Sequence, residues 1–249
     1  MFRFLRRLSG SRQLKITLAG ATHPGGHRDH NEDAYSVLPE QNTAVIADGM
    51  GGLARGEVAS KMVVTVVTEV LATGSTPAAG LQEAHKRIRE ASMANGGSER
   101  MGSTAVVMTI DKSTAHVHWI GDSRAYLWRS KTLKQITKDH SFVEELIDAG
   151  AISASEAETH PNRNVLTRAV GIRDTADVKA DQTTVELEVG DCILMCTDGL
   201  HGYLPRDVII DCLVQGGSAQ DIVNRMIEHT LSDTEAGDNV TAICAVVGD

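Results

Sequence analysis

The stretch "HRDHNEDAY", residues 27–35, puts a guanidinium and three carboxylates close together: Arg28, Asp29, Glu32 and Asp33. Its first three letters match the start of a protein-kinase catalytic loop, H-R-D followed by a metal-binding Asn. That template requires Asn at position 34, where Ala34 stands. The residues before His27 also carry neither a Gly-rich nucleotide loop nor a strand lysine. The kinase template is rejected, and a role for Arg28, Glu32 and Asp33 must be sought with other residues.

Further carboxylates sit at the ends of apolar runs. Asp48 ends "TAVIAD" and precedes Gly49-Met50-Gly51-Gly52, and Asp198 ends "CILMCTD" and precedes Gly199. Asp122 follows "HVHWIG", and Asp238 stands just before "NVTAICAVV". Strand mouths are rigid places from which side chains converge on one point. Clustered carboxylates repel one another and need cations to stay ionised together. Oxygen donors favour Mg²⁺ or Mn²⁺ over zinc. Two such ions about 3.5–4 Å apart can share a hydroxide and clamp a phosphoryl oxygen. A glycine after Asp48 frees the backbone so that its carbonyl can face a metal. Asp and Gly are also common turn formers. Spacing alone therefore leaves two readings open, an acidic two-metal site or ordinary turn aspartates. An EF-hand is excluded, because no D-x-[DN]-x-[DN]-G loop occurs.

Other chemistry has weaker support. His116 and His118 flank Val117, but Ala115, Val117 and Trp119 take the alternate face, so both histidines are expected toward solvent. Ser103 and Ser123 lack a Ser-His-Asp arrangement, and the G-x-S-x-G elbow is absent. Cys192, Cys196, Cys212 and Cys244 form no C-x-x-C pair and lie in apolar runs, which suits buried thiols in a reducing cytosol.

The elements that must position these residues come in blocks. Strands are expected over 14–22, 34–39 and 42–48, then helices over 56–71 and 76–95, the second ended by Gly96-Gly97. Strands return over 103–111, 114–122 and 124–129, followed by a polar, helix-leaning insertion over 141–168. The segment 183–198 reads as two strands, with Val185, Leu187 and Val189 alternating against Glu186 and Glu188. Helices are expected over 205–215, with Pro205 in the first turn, and over 218–231, before a last strand from Asn239. This order lacks the βαβ alternation of a parallel sheet. It predicts an α+β fold, with largely antiparallel sheets covered by antiparallel helix pairs.

A chain of 249 residues can bury a full core as one domain. With aromatics at 3%, that core must be built from Val, Leu, Ile, Ala and Met. The formal charge of −9 excludes nucleic acid as the main partner, since phosphate backbones are held by Lys and Arg. The basic, partly apolar segment 1–13 lacks the uninterrupted apolar run of a signal peptide and reads as a frayed terminus. No run is long enough to span a membrane, so a cytoplasmic protein without stable membrane insertion is expected.

Taken together, "HRDHNEDAY", "VIADGMGG", "MGSTAV", "WIGDSRAYLWR", "LKQITKDHS", "HPNRNVLTRAVG", "LMCTDGL" and "DNVTAICAVV" resemble, in order, the compact bacterial type 2C metal-dependent protein Ser/Thr phosphatases. The resemblance runs from about Leu14 to Val247. It implies a single phosphatase domain over 14–249: a β-sandwich of two antiparallel sheets flanked by helix pairs, with a mobile flap at 141–168. It implies that Asp48, Asp198 and Asp238 bind one Mn²⁺ or Mg²⁺. Asp48 and the Gly49 carbonyl would bind a second, which Glu32 reaches through water. Asp33 would hold metal-bound water, and Asp122 with Asp198 would hold a third ion. Arg28 would grip the substrate phosphate with its planar fork of donors, while a metal-bridging hydroxide attacks phosphorus in line. Phosphoserine and phosphothreonine proteins are the implied substrates, with a cognate Ser/Thr kinase as the opposing enzyme and a monomer as the expected state.

One departure concerns Met50. Eukaryotic relatives carry a His there, proposed as the general acid, and Met donates no proton; His140 and His30 are distant alternatives. Two competing readings have a feature to decide them. A pseudophosphatase scaffold would lack metal carboxylates, whereas Asp48, Asp198 and Asp238 are all present. A regulatory phosphatase within a larger signalling system would take its input through the flap, the N-terminal segment or a partner.

Overall fold

The computed structural model describes residues 14–51, 55–94, 101–172, 177–234 and 236–249. The N-terminal segment 1–13 and the Gly96-Gly97 stop lie outside the described residues.

Two antiparallel sheets form the centre. The first takes the order β1 (Lys15–His23), β11 (Val240–Gly248), β10 (Cys192–Cys196), β7 (Arg124–Arg129), β8 (Thr132–Gln135). The second takes the order β2 (Asp33–Leu38), β3 (Thr43–Met50), β5 (Ala105–Asp111), β6 (Thr114–Ile120), β9 (Asp181–Glu186), with the short β4 (Gly102–Ser103) beside β3. The long helices are α1 (Arg55–Ala72), α2 (Pro77–Ala94), α6 (Arg206–Gln215) and α7 (Ala219–Asp233). Three short ones are α3 (Phe142–Asp148), α4 (Ala154–Glu158) and α5 (Asp198–His201).

The apolar pattern explains the layering. Successive strand residues point to opposite faces. In β3, Ala44 and Ile46 enter the inter-sheet core with Met108, Val117, Ile193 and Ile243. Val45 and Ala47 face the other way, against Val63, Val67 and Leu81 of α1 and α2. In β10, Ile193 and Met195 face the inter-sheet core while Leu194 and Cys196 pack against Ile209, Val223 and Met226 of α6 and α7. The central strands are therefore buried on both faces and read as unbroken apolar runs. The expected α+β sandwich with outer helix pairs is the observed fold. All four cysteines are buried free thiols.

Some local expectations need correction. β8 was not expected; of its four residues only Leu133 is buried, so it carries no alternation. β9 begins at Asp181 and ends at Glu186, so Val189 lies beyond it and is 52% exposed. Pro205 is the N-cap of α6, one residue ahead of its first turn. His116 and His118 lie opposite buried Ala115, Val117 and Trp119 as expected, but are half-buried, not open to solvent.

Candidate active site

The mouths of several strands meet at a cavity of about 470 Å³. Its wall includes Arg28, Glu32, Asp48, Gly49, Asp122, Asp198 and Asp238, so seven of the eight residues singled out in the sequence meet there. The eighth, Asp33, lies just behind the wall, buried, opposite Asp48 in the β2–β3 ladder.

Each carboxylate has its own support. Asp48 sits inside β3, and its backbone is clamped from β4–β5. Its N–H donates to Thr104 Oγ1 at 2.9 Å, and its carbonyl accepts from the Thr104 N–H at 2.8 Å and Ser103 Oγ at 2.9 Å. Asp198 opens the single turn of α5, where the Gly199 N–H bonds to its side chain. Asp122 lies in the β6–β7 turn after Gly121, whose φ is +102°. Two residues with no predicted site role pair beside that turn: Arg124 makes a fork to Asp139, with Nη2 2.7 Å from Oδ2.

The loop before β2 is stitched to the turn before β11 by Asn239. Its amide donates to the Pro24 and His30 carbonyls, both at 2.8 Å, and its Oδ1 accepts from the Glu32 N–H at 2.8 Å. Asp33 Oδ2 accepts from Thr197 Oγ1 at 2.9 Å and Thr241 Oγ1 at 2.5 Å. Gly49 has an ordinary φ; what requires glycine is close approach, since a Cβ there would lie 2.0 Å from the Gly56 carbonyl oxygen and 2.6 Å from that of Glu32.

Electrostatics mark the cluster as short of positive charge. Burial, then repulsion from Asp198, Asp33, Asp122 and Asp238, pushes Asp48 well above the usual carboxylate range. Burial pushes Asp33 up to about 8, and burial with Asp198 pushes Asp122 up to about 7. Asp198 is raised by burial and by Asp238, an effect moderated by a hydrogen bond with Asp48. Among the described residues, no three carboxylates, His or Cys close into a tight ligand shell. Asp198 bonds Asp48, and Asp238 pairs with Arg28 at 3.0 Å. Hard oxygen donors around a cavity, each raising its neighbours, nonetheless suit divalent Mg²⁺ or Mn²⁺.

The segment 141–168 carries α3 and α4, and Asn164, Leu166, Thr167 and Arg168 bring its far end onto the cavity wall. Met50 lines the cavity and brings no proton. His140 does not line it: its ring is buried, with Nδ1 accepting from the Gly121 N–H at 3.1 Å. His30 is exposed and also off the wall. Sequence reasoning missed Thr104, Thr197, Asn239 and Thr241, although each lies inside or beside a quoted motif.

Fold and cavity define a class, the α+β proteins in which an acidic cavity opens at the strand mouths of a β-sandwich. The model of the protein phosphatase 2C family matches residues 20–239, and the chain belongs to that family. It is 34% identical over 236 residues to the serine/threonine phosphatase stp of Listeria welshimeri, covering 89% of this chain and 92% of that protein. The structure of the Mycobacterium tuberculosis serine/threonine phosphatase PstP matches with a TM-score of 0.84 at 31% identity, over 94% of this chain and 99% of that one. A PstP catalytic domain in complex with two manganese ions matches with a TM-score of 0.83 at 30% identity, over 95% of this chain and 100% of that one. The protein is accordingly a metal-dependent protein serine/threonine phosphatase, and phosphoproteins are its substrates.

Proposed function

We propose that the cavity at the strand mouths is the active site, with Asp48, Asp198 and Asp238 holding one divalent ion. Asp48 and the Gly49 carbonyl would hold a second, assisted by Glu32, and Asp122 with Asp198 a third. The observation that carries this reading is the convergence of four aspartates and Glu32 on one wall beside Arg28. Two manganese ions in the PstP structure support Mn²⁺ as the probe, with Mg²⁺ the alternative in the cell. When bound, such ions supply Lewis-acid activation of water and neutralise charge on the phosphoryl group.

The chain's own residues do the rest. Arg28 reaches the cavity from an exposed loop, and its guanidinium is the fork that binds and orients the phosphate. Asp33, held by two threonine hydroxyls, is the buried acceptor that orients water at the cavity floor. Met50 provides no general acid, so the leaving oxygen takes its proton from water.

Residues 14–249 act as one phosphatase domain, with 141–168 as its flap and docking edge. The protein works as a cytoplasmic monomer opposing a Ser/Thr kinase. Among the described residues no helix is long and apolar enough to cross a membrane. Calorimetric titration with Mn²⁺ tests the site: wild type should bind at least two ions, and Asp48→Asn should lose both strong ones. Unchanged binding in Asp48→Asn would refute the assignment. Comparing phosphoproteomes with and without the protein tests the kinase pairing: sites that accumulate phosphate in its absence should be Ser and Thr targets of one kinase.

A further inference from the structure

The single turn of α5 carries two residues with different outlooks. Asp198 lines the catalytic cavity. His201, three residues on, lines a separate cavity of about 320 Å³ with Arg124, Tyr126, Tyr203 and Arg206. Yet its Nε2 lies 3.1 Å from the backbone carbonyl oxygen of Asp122. A carbonyl only accepts, so Nε2 carries the proton and donates it.

The neighbours of Asp122 are pinned elsewhere. Gly121 exchanges two hydrogen bonds with His140, N–H to Nδ1 at 3.1 Å and carbonyl from N–H at 2.9 Å. Ser123 Oγ lies 2.7 Å from Thr104 Oγ1. Those contacts hold the turn to the residue just ahead of the 141–168 segment and to the β4–β5 junction. The bond from His201 alone of these joins it to the element that carries Asp198.

We propose that His201 is a positioning residue that locks the Asp122 turn to α5 and so fixes the spacing of the Asp122 and Asp198 carboxylates. The inference rests on the assignment of those two carboxylates to a third ion. Groups that orient ligands from behind typically change metal affinity by about 10–100-fold when removed.

The test counts Mn²⁺ bound to the full-length protein by the electron paramagnetic resonance of the free ion. Four variants are used: Asp122→Ala, His201→Asn, His201→Gln and Asp122→Ala/His201→Asn. Asp122→Ala should lose the weakest class of ion. His201→Asn, whose amide falls short of the carbonyl, should weaken that class about tenfold or more and leave the others unchanged. His201→Gln, whose Nε2–H₂ reaches the place of the imidazole Nε2, should stay within about threefold of wild type. In the Asp122→Ala background, His201→Asn should add nothing. Wild-type binding in His201→Asn, equal loss in His201→Asn and His201→Gln, or an effect that persists without Asp122 would each overturn the proposal. An unchanged isotherm in Asp122→Ala would instead overturn the third-ion assignment beneath it.

Discussion

Arg28 Nη2 lies 3.0 Å from the carboxylate of Asp238, across 210 residues of chain. Arg28 Nε also donates to the Gly237 carbonyl at 3.3 Å. The guanidinium proposed to grip phosphate is thus held at the rim of the cavity by the same turn that supplies a carboxylate to it. Replacing Arg28 by Ala removes two charge-assisted contacts to phosphate, so kcat/KM on a phosphoserine peptide should fall roughly 10²-fold. Arg28→Lys should recover only part of this, because an ammonium has no planar fork. Steady-state kinetics check it, and an unchanged kcat/KM in Arg28→Ala would remove Arg28 from the site.

Gly49→Ala is expected to cost about 3 kcal/mol through overpacking. A Cβ at that position would lie 2.0 Å from the Gly56 carbonyl oxygen, a backbone atom that no rotamer can move. Chemical denaturation should show a lower midpoint with an unchanged slope.

Asn239→Ala should cost about 3 kcal/mol, about 1 for each of three side-chain hydrogen bonds that tie the 24–32 loop to the turn before β11. Because that loop carries Arg28 and Glu32, phosphatase activity should fall at temperatures where the variant is still folded. Thermal unfolding and activity measured on one sample separate the two effects.

The carboxylate cluster also sets a pH dependence. Asp33 is raised to about 8 and Asp122 to about 7, from an ordinary value of 3.8, chiefly by burial. The native state therefore holds more protons than the unfolded chain between these limits. Its stabilisation is complete below the unfolded value and is lost as pH rises through the folded ones. In EDTA, Tm should fall from about pH 5.5 to about pH 8.5, and saturating Mn²⁺ should remove the fall, since a cation replaces those protons. A Tm that rises across this range in EDTA would contradict the burial of uncompensated carboxylates.

Much of this was legible in the sequence for physical reasons. β3 and β10 read as unbroken apolar runs because each is packed between the inter-sheet core and a helix pair. Asp48, Asp122, Asp198 and Asp238 were visible because each stands at an end of a strand-like run, although only the ordered set of motifs separated them from ordinary turn aspartates. The hydroxyls of Thr197 and Thr241 were not visible as partners of Asp33: threonine is ordinary in strands, and these lie 164 and 208 residues away. Nor was the absence of Asp33 from the cavity wall, which goes with its carboxylate accepting from these two distant hydroxyls and not with its neighbours in sequence. β8 escaped notice because a short edge strand needs only Leu133 to hold it.

The central claim is that the aspartate cluster hydrolyses phosphoserine and phosphothreonine only with a divalent ion. The most direct measurement is phosphate release from a phosphothreonine peptide with Mn²⁺, repeated in excess EDTA and in Asp198→Asn. Turnover should vanish with EDTA, return with Mn²⁺, and fall at least about 10³-fold in Asp198→Asn. Turnover that survives EDTA, or an Asp198→Asn variant as active as wild type, would contradict it.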